Sequence, residues 1–284
     1  MAAEGCDTLL VLQGLAVDSR DIQGIAELTR AQSIQDFAPN VFKLGNAQPH
    51  PDLDARCRAA QLDFAFVPTN LKLSDFKLVA MDMDSTLINI ESLDEVADYL
   101  GRRDEIAAIT ERSMNGEIDF SESLRYRVAL LKGLDASALE RVYAERLELN
   151  PGAEKFIATL HKHNIKTMLV SGGFTFFTER LQRRLGLNFV YGNELEIIDG
   201  KLTGAILGPL LDPGAKAEKL RLVSDGLGIT RYGQVIAIGD GANDRAMFAV
   251  AGTAIAYHGK EVLRSHATYC IDHVGLDGVL NLFA

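Results

Sequence analysis

Two aspartates that stand two positions apart, Asp82 and Asp84, follow directly on a run of apolar residues. If an extended strand continues to Asp84, both side chains lie on the same side of the chain, because side chains alternate along a strand. Two neighbouring carboxylates repel each other, so one of them has a raised pKa unless a cation lies between them. The pair therefore predicts a nucleophile and a proton shuttle that share a divalent metal ion.

Two alternative roles for this pair make different demands on the sequence. A calcium loop of the EF-hand type needs Asp or Asn at its fifth position and Gly at its sixth, where this chain has Thr86 and Leu87. A pair of surface aspartates in an ordinary turn fits the spacing, but it does not suit the apolar run that precedes it. The reactive pair is therefore the favoured interpretation.

A second acidic pair, Asp240 and Asp244, follows another apolar run, Val235-Ile-Ala-Ile. Magnesium prefers a few oxygen ligands and keeps several waters, so Asp240 is a candidate to complete a metal site with the first pair. The flanking Gly239 and Gly241 allow the backbone to turn tightly around it. A dinucleotide-binding fingerprint is excluded because it needs Gly or Ala where Asp244 stands. Taken alone, the segment is equally compatible with an ordinary Asp-Gly turn.

A third apolar run ends in Ser171-Gly172-Gly173. A hydroxyl and glycine amides at a turn from strand to helix form a cradle for phosphate, because the helix N-terminus is positive. A nucleophile elbow reads G-x-S-x-G, and its first glycine is replaced here by Leu169. Ser171 is therefore predicted to bind phosphate rather than to attack it, although Ser/Gly turns are common.

Lys216 is a candidate active-site residue because of the positive charge that the reaction needs, and not because of its local sequence. A single lysine is usually a solvated surface residue, and no Walker A motif surrounds this one. An attacking carboxylate and a phosphate repel each other by about 4 kcal/mol per pair of unit charges 4 Å apart at an effective dielectric constant of 20. A metal ion and one further cation are needed to offset this repulsion.

The elements that must position these residues form an α/β pattern from residue 76 onward. Short strands with apolar residues on both faces alternate with amphipathic helices, as in a parallel sheet that helices cover on both sides. The predicted strands are Lys77–Met81, Lys166–Val170, Gln234–Ile238, Thr253–Ala256 and Thr268–Ile271. Ligands of such Rossmann-like sheets bind at the carboxyl ends of the strands, so the three polar turns are expected to meet at one edge.

Two further segments have a different pattern of predicted secondary structure. Residues 92–146 are predicted to be helical throughout and to form a cap over the site. Residues 1–74 show the strand–helix–strand–strand–helix–strand order of ferredoxin-like α+β domains. Their predicted elements are Leu9–Gln13, Ser19–Ala31, Ile34–Phe37, Val41–Leu44, Leu53–Ala60 and Phe64–Val67. The second domain is predicted to span residues 75–284, after a turn-rich triplet at residues 68–70.

Composition limits the classes of protein to which the chain can belong. The net charge of −10 and the lack of a large Lys/Arg cluster argue against nucleic-acid binding. The chain has no stretch of 18 apolar residues, so no membrane-spanning helix is predicted, and the N-terminus does not resemble a secretory signal. Three scattered cysteines, Cys6, Cys57 and Cys270, favour a reducing, cytoplasmic location.

The ordered set D-x-D-x-T, strand-Ser, Lys and G-D-x-x-x-D resembles the haloacid dehalogenase superfamily of phosphohydrolases. The strings Asp82-Met-Asp-Ser-Thr-Leu, Ser171-Gly-Gly-Phe and Gly239-Asp-Gly-Ala-Asn-Asp are similar to its phosphoserine phosphatase branch. The predicted cap matches that branch as well, at Glu91, at Met114-x-Gly-x-Ile-x-Phe120 and at Ser123-Leu-Arg-x-Arg127-Val. The resemblance extends from residue 76 to the C-terminus.

This resemblance implies magnesium-dependent hydrolysis of O-phospho-L-serine, the last step of serine biosynthesis. Asp82 is then the nucleophile that becomes phosphorylated, and Asp84 is the acid and base. Magnesium is held by Asp82, the Asp84 backbone carbonyl and Asp240, while Asp244 orients waters around the metal. The implied phosphate and substrate ligands on the sheet side are Ser171, Gly172, Lys216 and Asn243.

The resemblance also assigns the cap residues. Glu91 pairs with the substrate ammonium, Arg127 grips its carboxylate, and Met114 and Phe120 close over the ligand. The alternative for Arg127 is a surface helix charge that neighbouring acids balance.

The function of residues 1–74 and several alternatives stay open at this point. The order of elements resembles the amino-acid-sensing ACT domains, but the turn after the first strand has one glycine, Gly14. A role in packing or in a homodimer is therefore favoured over serine sensing. The other candidate functions are a phosphatase for another small phosphate such as phosphohomoserine, a phosphotransferase, and a regulatory or scaffold protein.

Overall fold

The computed structural model describes residues 8–283. The N-terminal part of the described chain forms a four-stranded antiparallel sheet. Its strands and helices are β1 (Thr8–Gly14), α1 (Ser19–Leu28), β2 (Ser33–Ala38), β3 (Val41–Gly45), α2 (Leu53–Ala59) and β4 (Leu62–Pro68). The strand order is β2-β3-β1-β4, and every pairing is antiparallel. The predicted order of elements and the small α+β fold are confirmed. Helix α1 ends three residues early because Arg30 adopts a left-handed conformation, with φ of 55°.

Both faces of strand β1 are buried in this sheet, whereas the edge strand β2 is exposed. Alternate side chains of β1 point to opposite sides, so Leu10 and Leu12 pack against the helices while Val11 joins the core of the following domain. That core also includes Phe76 and Phe283, whose rings meet edge to face with centroids 5.2 Å apart. The sheet therefore forms the middle layer between its own helices and the rest of the protein.

Residues 76–283 fold around a seven-stranded sheet with helices on its faces. The strands are β5 (Leu78–Met81), β6 (Lys166–Phe174), β7 (Phe189–Ile198), β8 (Lys201–Leu207), β9 (Val235–Gly239), β10 (Thr253–Tyr257) and β11 (Tyr269–Ile271). Their order is β11-β10-β9-β5-β6-β7-β8, and all pairings are parallel except that of β7 with β8. The predicted α/β fold with a parallel sheet is confirmed. Among residues 8–283, no helix has both the length and the apolar composition to cross a membrane.

The segment from β5 to β6 is helical, but it is not one continuous helix. It contains α3 (Ser92–Asp98), α4 (Arg103–Met114), α5 (Phe120–Ala129) and α6 (Ser137–Glu145), followed by α7 (Ala153–Lys162) beside the sheet. Three glycines with positive φ, Gly101, Gly116 and Gly133, lie between the cap helices and allow the chain to reverse. We name α3 to α6 the cap.

Strands β7 and β8 were not among the strands predicted from the sequence. They form a hairpin whose turn is Asp199-Gly200, and both turn residues have positive φ, 50° and 75°. An Asp-Gly pair between two strands is the usual signal for such a turn, so the sequence does contain a trace of it. The hairpin also holds the cap, because Gly133 N–H donates to Leu202 O, and Leu202 N–H donates to Leu134 O, both at 2.8 Å.

The remaining helices are α8 (Thr175–Leu185), α9 (Pro213–Gly226), α10 (Arg245–Phe248) and α11 (Glu261–Arg264). Helix α9 is the longest of the four, and it begins with the Asp212 side chain accepting a hydrogen bond from Ala215 N–H at 2.8 Å. This N-cap fixes the first turn, which carries Lys216.

A buried carboxylate joins the two sheets. Asp63 of β4 is 4% exposed and accepts the backbone N–H groups of Asp272, His273 and Val274 at 2.7 to 3.2 Å. These residues directly follow β11, so β4 is connected to the edge of the large sheet. Each donor would lack a partner without this side chain.

We expect Asp63→Ala to lower the free energy of unfolding by about 2–4 kcal/mol, because buried N–H groups without acceptors are costly. Urea denaturation followed by circular dichroism measures the change. Asp36→Ala on the exposed strand β2 is the matched control and should change stability by less than about 0.5 kcal/mol. Equal stabilities of the two variants would show that the Asp63 contacts do not join the domains energetically.

Candidate active site

The predicted polar segments meet at the carboxyl ends of β5, β6 and β9, under the cap. They enclose a cavity of about 40 Å³, which is room for on the order of three water molecules. The residues that line it come from both sides: Asp82, Asp84, Ser171, Gly172, Gly173, Phe174 and Asn243 from the sheet domain, and Glu91, Leu93, Thr110, Met114, Phe120, Leu124 and Arg127 from the cap side.

Asp82 is the first residue after β5, and its carboxylate is 3% exposed. The Asp82 N–H still donates to Ile238 O at 3.0 Å, which holds this residue in line with the sheet. Its Oδ2 accepts from Lys216 Nζ at 2.6 Å and from Asn243 Nδ2 at 2.8 Å, and its Oδ1 accepts from Met83 N–H at 2.7 Å. Three donors therefore fix the orientation of this carboxylate.

Asp84 reaches the same cavity by a different route from the one expected. The prediction that the strand continues to Asp84 is wrong, since β5 ends at Met81 and the chain then turns. In the turn, Leu87 N–H and Ile88 N–H both donate to Met83 O, at 2.9 and 3.0 Å. Ser85, the residue after Asp84, has a φ of 55°. The turn, rather than strand alternation, brings the two carboxylates together.

The environment of Asp84 favours a protonated carboxyl. Burial, followed by the nearby charge of Asp82, raises the pKa of Asp84 to about 7. Its Oδ1 accepts the N–H of Ser92, the first residue of α3, at 2.9 Å. The side chain is therefore tied to the cap.

Lys216 is fully buried, which excludes the surface position that its local sequence suggests. Its Nζ donates to Asp82 Oδ2 at 2.6 Å and to Asp244 Oδ1 at 2.9 Å. Burial lowers the pKa of Lys216, but the carboxylates of Asp244 and Asp82 more than offset this, so its pKa lies above the ordinary value. The ammonium group therefore stays charged between two acids.

Asp82, Asp240 and Asp244 form a cluster in which one oxygen of each lies within 4.8 Å of the others. Burial and then the charge of Asp82 raise the pKa of Asp244 to about 7, while burial, Glu91 and Asp244 raise that of Asp240 well above its usual range. Because these acids have one ammonium between them, the cluster fits a divalent cation that prefers oxygen ligands, as Mg²⁺ does. The assignment of the Asp84 backbone carbonyl as a further ligand stays a prediction.

Glycines allow side chains to approach the backbone around the cavity. A Cβ atom at Gly172 would overlap the Phe120 ring, and one at Gly241 would overlap the end of Met114. The prediction that Gly241 serves a tight turn is wrong, because its φ is −128°, which any residue can adopt. The glycine is needed for close packing against the cap.

Ser171 and its two glycines do not form the predicted turn. Strand β6 continues to Phe174 with a shift in register after Val170, and α8 starts only at Thr175. The backbone is therefore extended where it lines the cavity. The Gly173 N–H donates to Ser171 Oγ at 2.9 Å.

Glu91, the residue before α3, and Arg127 of α5 contribute a carboxyl group and a guanidinium to the cavity. Glu91 accepts a hydrogen bond from Ser85 Oγ at 2.6 Å, and burial together with Asp84 raises its pKa well above the usual range. Arg127 is 5% exposed, so the alternative of a surface charge is excluded. Burial lowers the pKa of Arg127, and within residues 8–283 no carboxylate oxygen lies within 4.0 Å of its side-chain nitrogens. A buried guanidinium without an ion-pair partner is costly unless a ligand supplies the anion.

Two polar residues of the site were not predicted from the sequence. Ser85 lies inside the D-x-D-S-T string, so its position could have been noticed. Thr110 stands one helical turn before Met114 on α4, which places both on one face of that helix. Its spacing from Met114 was the available signal.

Comparison with known proteins gives consistent results. The family model for haloacid dehalogenase-like hydrolases matches residues 79–249, and a model for a domain of unknown function matches residues 10–54. A phosphoserine phosphatase of Polaromonas sp. is 50% identical over 218 residues, which cover 75% of this chain and 92% of that protein.

Solved structures extend the likeness to the N-terminal domain. A HAD family hydrolase from Salmonella enterica serovar Typhi superposes with a TM-score of 0.84 at 30% identity and covers 98% of both chains. A probable phosphoserine phosphatase from Vibrio cholerae, in unliganded form, gives a TM-score of 0.81 at 33% identity, over 97% of this chain and 86% of that one. The chain therefore belongs to the haloacid dehalogenase-like hydrolases and, within them, to the phosphoserine phosphatases.

Proposed function

We propose that this protein hydrolyses O-phospho-L-serine to L-serine and phosphate through an aspartyl-phosphate on Asp82, as the last step of serine biosynthesis. The observation that carries the proposal is the composition of one cavity. It contains adjacent carboxylates for phosphoryl transfer on one side, and an acid and an unpaired guanidinium on the other. Glu91 and Arg127 complement the ammonium and the carboxylate of a phosphorylated amino acid, and the adjacent carboxylates supply a nucleophile and a proton donor for its phosphate.

In the first step, an Asp82 oxygen attacks phosphorus and the bond from phosphorus to the serine oxygen breaks. The leaving oxygen takes the proton of Asp84, whose raised pKa of about 7 suits a general acid near neutral pH. In the second step, Asp84 removes a proton from water, the water oxygen attacks phosphorus, and the bond to Asp82 breaks. Asp84 thereby regains its proton, and phosphate is released.

The residues around Asp82 have the charges that this reaction needs. Lys216 Nζ and Asn243 Nδ2 both contact the attacking carboxylate, so they are close enough to bind phosphate oxygens with Ser171 and Gly172. Asn243 Oδ1 is buried and has no hydrogen-bond donor among the described residues, so a donor group of a bound substrate would satisfy it. Asp82, the Asp84 carbonyl and Asp240 would hold Mg²⁺, with Asp244 beside them, and the ion supplies positive charge that favours the ionised carboxylates and phosphate.

The cap supplies selectivity. Glu91 is assigned to the substrate ammonium and Arg127 to its carboxylate, while Met114 and Phe120 exclude water. Because the closed cavity is only about 40 Å³, the cap has to move for substrate to enter.

We further propose that residues 1–74 pack against the phosphatase domain, spanning residues 75–284, rather than sense serine. Side chains on both faces of β1 are buried in the two cores, and Gly14 lies against Leu62 and Gln61, where a side chain would be crowded at 2.8 and 3.0 Å. This close contact leaves no space for a ligand between Gly14 and residues 61–62. A homodimer and a cytoplasmic location stay predictions.

We expect Asp82→Asn to lower kcat on O-phospho-L-serine by at least about a thousandfold, because an amide cannot replace the nucleophile. A phosphate-release assay with Mg²⁺ measures this. Beryllium trifluoride should bind the wild-type protein as an aspartyl-phosphate mimic and leave the variant free. Turnover by Asp82→Asn close to the wild-type rate would contradict the assignment.

Arg127→Ala should raise KM for O-phospho-L-serine by about tenfold or more, because a charged hydrogen-bonded pair is lost. O-phosphoethanolamine has no carboxylate, so its KM should change by less than about twofold. Steady-state kinetics on both substrates separate the two effects. Arg125→Ala, a change to an exposed neighbour on α5, serves as the control. Equal losses on both substrates would mean that Arg127 only stabilises the cap.

Metal binding should depend on pH. Without a cation, the pKa values of Asp84 and Asp244 are raised from 3.8 to about 7 in the folded protein, so the stability that their protonated forms contribute is lost as pH rises from about 4 to 7. Mg²⁺ favours the ionised forms, and it should therefore raise the melting temperature more at pH 8 than at pH 6. Differential scanning calorimetry measures both values. Asp240→Asn should abolish the Mg²⁺ effect, whereas Asp225→Asn, at an exposed position of α9, should retain it. An equal rise at both pH values would refute the linkage.

A further inference from the structure

The guanidinium of Arg127 is held by a chain of hydrogen bonds that crosses three helices of the cap. Arg127 Nη1 contacts Thr110 Oγ1 at 2.9 Å, and Thr110 Oγ1 contacts Asp94 Oδ1 at 2.7 Å. Asp94 lies on α3, Thr110 on α4 and Arg127 on α5. We name these three residues the Arg127 relay.

The chemistry of the three groups fixes the direction of each hydrogen bond. A guanidinium only donates and an ionised carboxylate only accepts, so the Thr110 hydroxyl must accept from Arg127 and donate to Asp94. Ile106 O, at 3.1 Å, is a second acceptor near the same hydroxyl, but the carboxylate is closer and charged. The relay therefore has one arrangement that satisfies all of its members.

Burial makes this arrangement hard to replace. Asp94, Thr110 and Arg127 are 7%, 4% and 5% exposed, so water has little access to any group that loses its partner. Arg127 also donates from Nε to Ser123 O of its own helix at 3.3 Å. These two contacts use two of the five guanidinium hydrogens and leave the others free for a ligand.

The relay connects Arg127 to the reacting end of the cavity. Asp94 is on the same short helix as Ser92, whose N–H donates to Asp84 Oδ1 at 2.9 Å. Helix α3 thus contacts the proton shuttle at its first residue and supports the guanidinium from within its first turn. Helix α3 and Thr110 therefore link Asp84 to Arg127 through hydrogen bonds.

We propose that Asp94 and Thr110 are positioning residues that hold Arg127 where it binds the carboxylate of a phosphorylated amino acid. The proposal rests on the proposed function and deepens it. A loosened guanidinium weakens binding of the carboxylate without affecting phosphoryl transfer.

The test compares Thr110→Val, which keeps the shape and removes the hydroxyl, with Thr110→Ser, which keeps the hydroxyl. We expect Thr110→Val to lower kcat/KM on O-phospho-L-serine about tenfold, mostly through KM, and to change O-phosphoethanolamine less than about twofold. Thr110→Ser should recover most of the loss. The matched control is Thr178→Val, at a buried threonine of α8 that does not line the cavity, and it should leave the preference between substrates unchanged.

A double-mutant cycle with Arg127→Ala shows whether Thr110 acts through the guanidinium. In the Arg127→Ala background, Thr110→Val should add less than about a twofold loss on O-phospho-L-serine, because the group it positions is already gone. A full additional loss, or equal losses of Thr110→Val on both substrates, would overturn the proposal.

A crystal structure of Thr110→Val gives a readout that does not depend on activity. We expect the Arg127 guanidinium to move away from its place in the cavity or to become disordered, and an unmoved guanidinium would overturn the inference. If the wild-type protein preferred a phosphate without a carboxylate, the proposed function would fail. The position of Arg127 in that crystal structure would still decide whether the relay holds it.

Discussion

The structure depends on keeping several carboxylates close together in a nearly dry cavity. Asp82, Asp240 and Asp244 lie side by side, and the Lys216 ammonium between Asp82 and Asp244 is the cation that the chain itself provides. Removing the Lys216 ammonium would leave Asp82 and Asp244 buried without their counter-charge, which is far more costly than losing a surface ion pair. The N-cap at Asp212 and the ends of β5 and β9 are therefore positioned to support a single electrostatic arrangement.

The sequence was informative where structure follows from local patterns. Apolar runs such as Leu78–Met81 and Val235–Gly239 became the central strands, because a strand covered on both faces needs apolar residues at every position. The N-terminal order of elements was also predictable. Strand β1 is apolar at successive positions because alternation divides Leu10 and Val11 between two cores. The β7–β8 hairpin was missed because most of its side chains are partly or fully exposed and its pattern is weaker than that of a core strand.

The site was less accessible to local patterns, for a physical reason. Nothing near Lys216 in the chain reveals that it is buried, because its partners lie 134 and 28 residues away. The candidate became visible only through the charge that the reaction requires and through a family resemblance. Thr110 is a stronger example, since a threonine in a helix has no chemical signature until the arginine and the aspartate on either side are placed. Conversely, Asp84 was assigned to the site for a geometric reason that proved wrong, although the side chain does line the cavity.

The hydrogen bonds between the cap and the β7–β8 hairpin fix one side of the cap. Gly133 and Leu134 are tied to Leu202 on one side, whereas on the far side the cap meets the sheet domain through apolar contacts such as Met114 on Gly241 and through the half-exposed ion pair of Glu111 with Lys260. An exposed pair of this kind contributes little stability, so separating the cap from the sheet domain on the far side costs less free energy than separating it from the hairpin. The cap should therefore open by rotating about its contacts with the hairpin, rather than by separating from the sheet domain on all sides at once. Its glycine at position 133, with a φ of 87°, lies at the pivot.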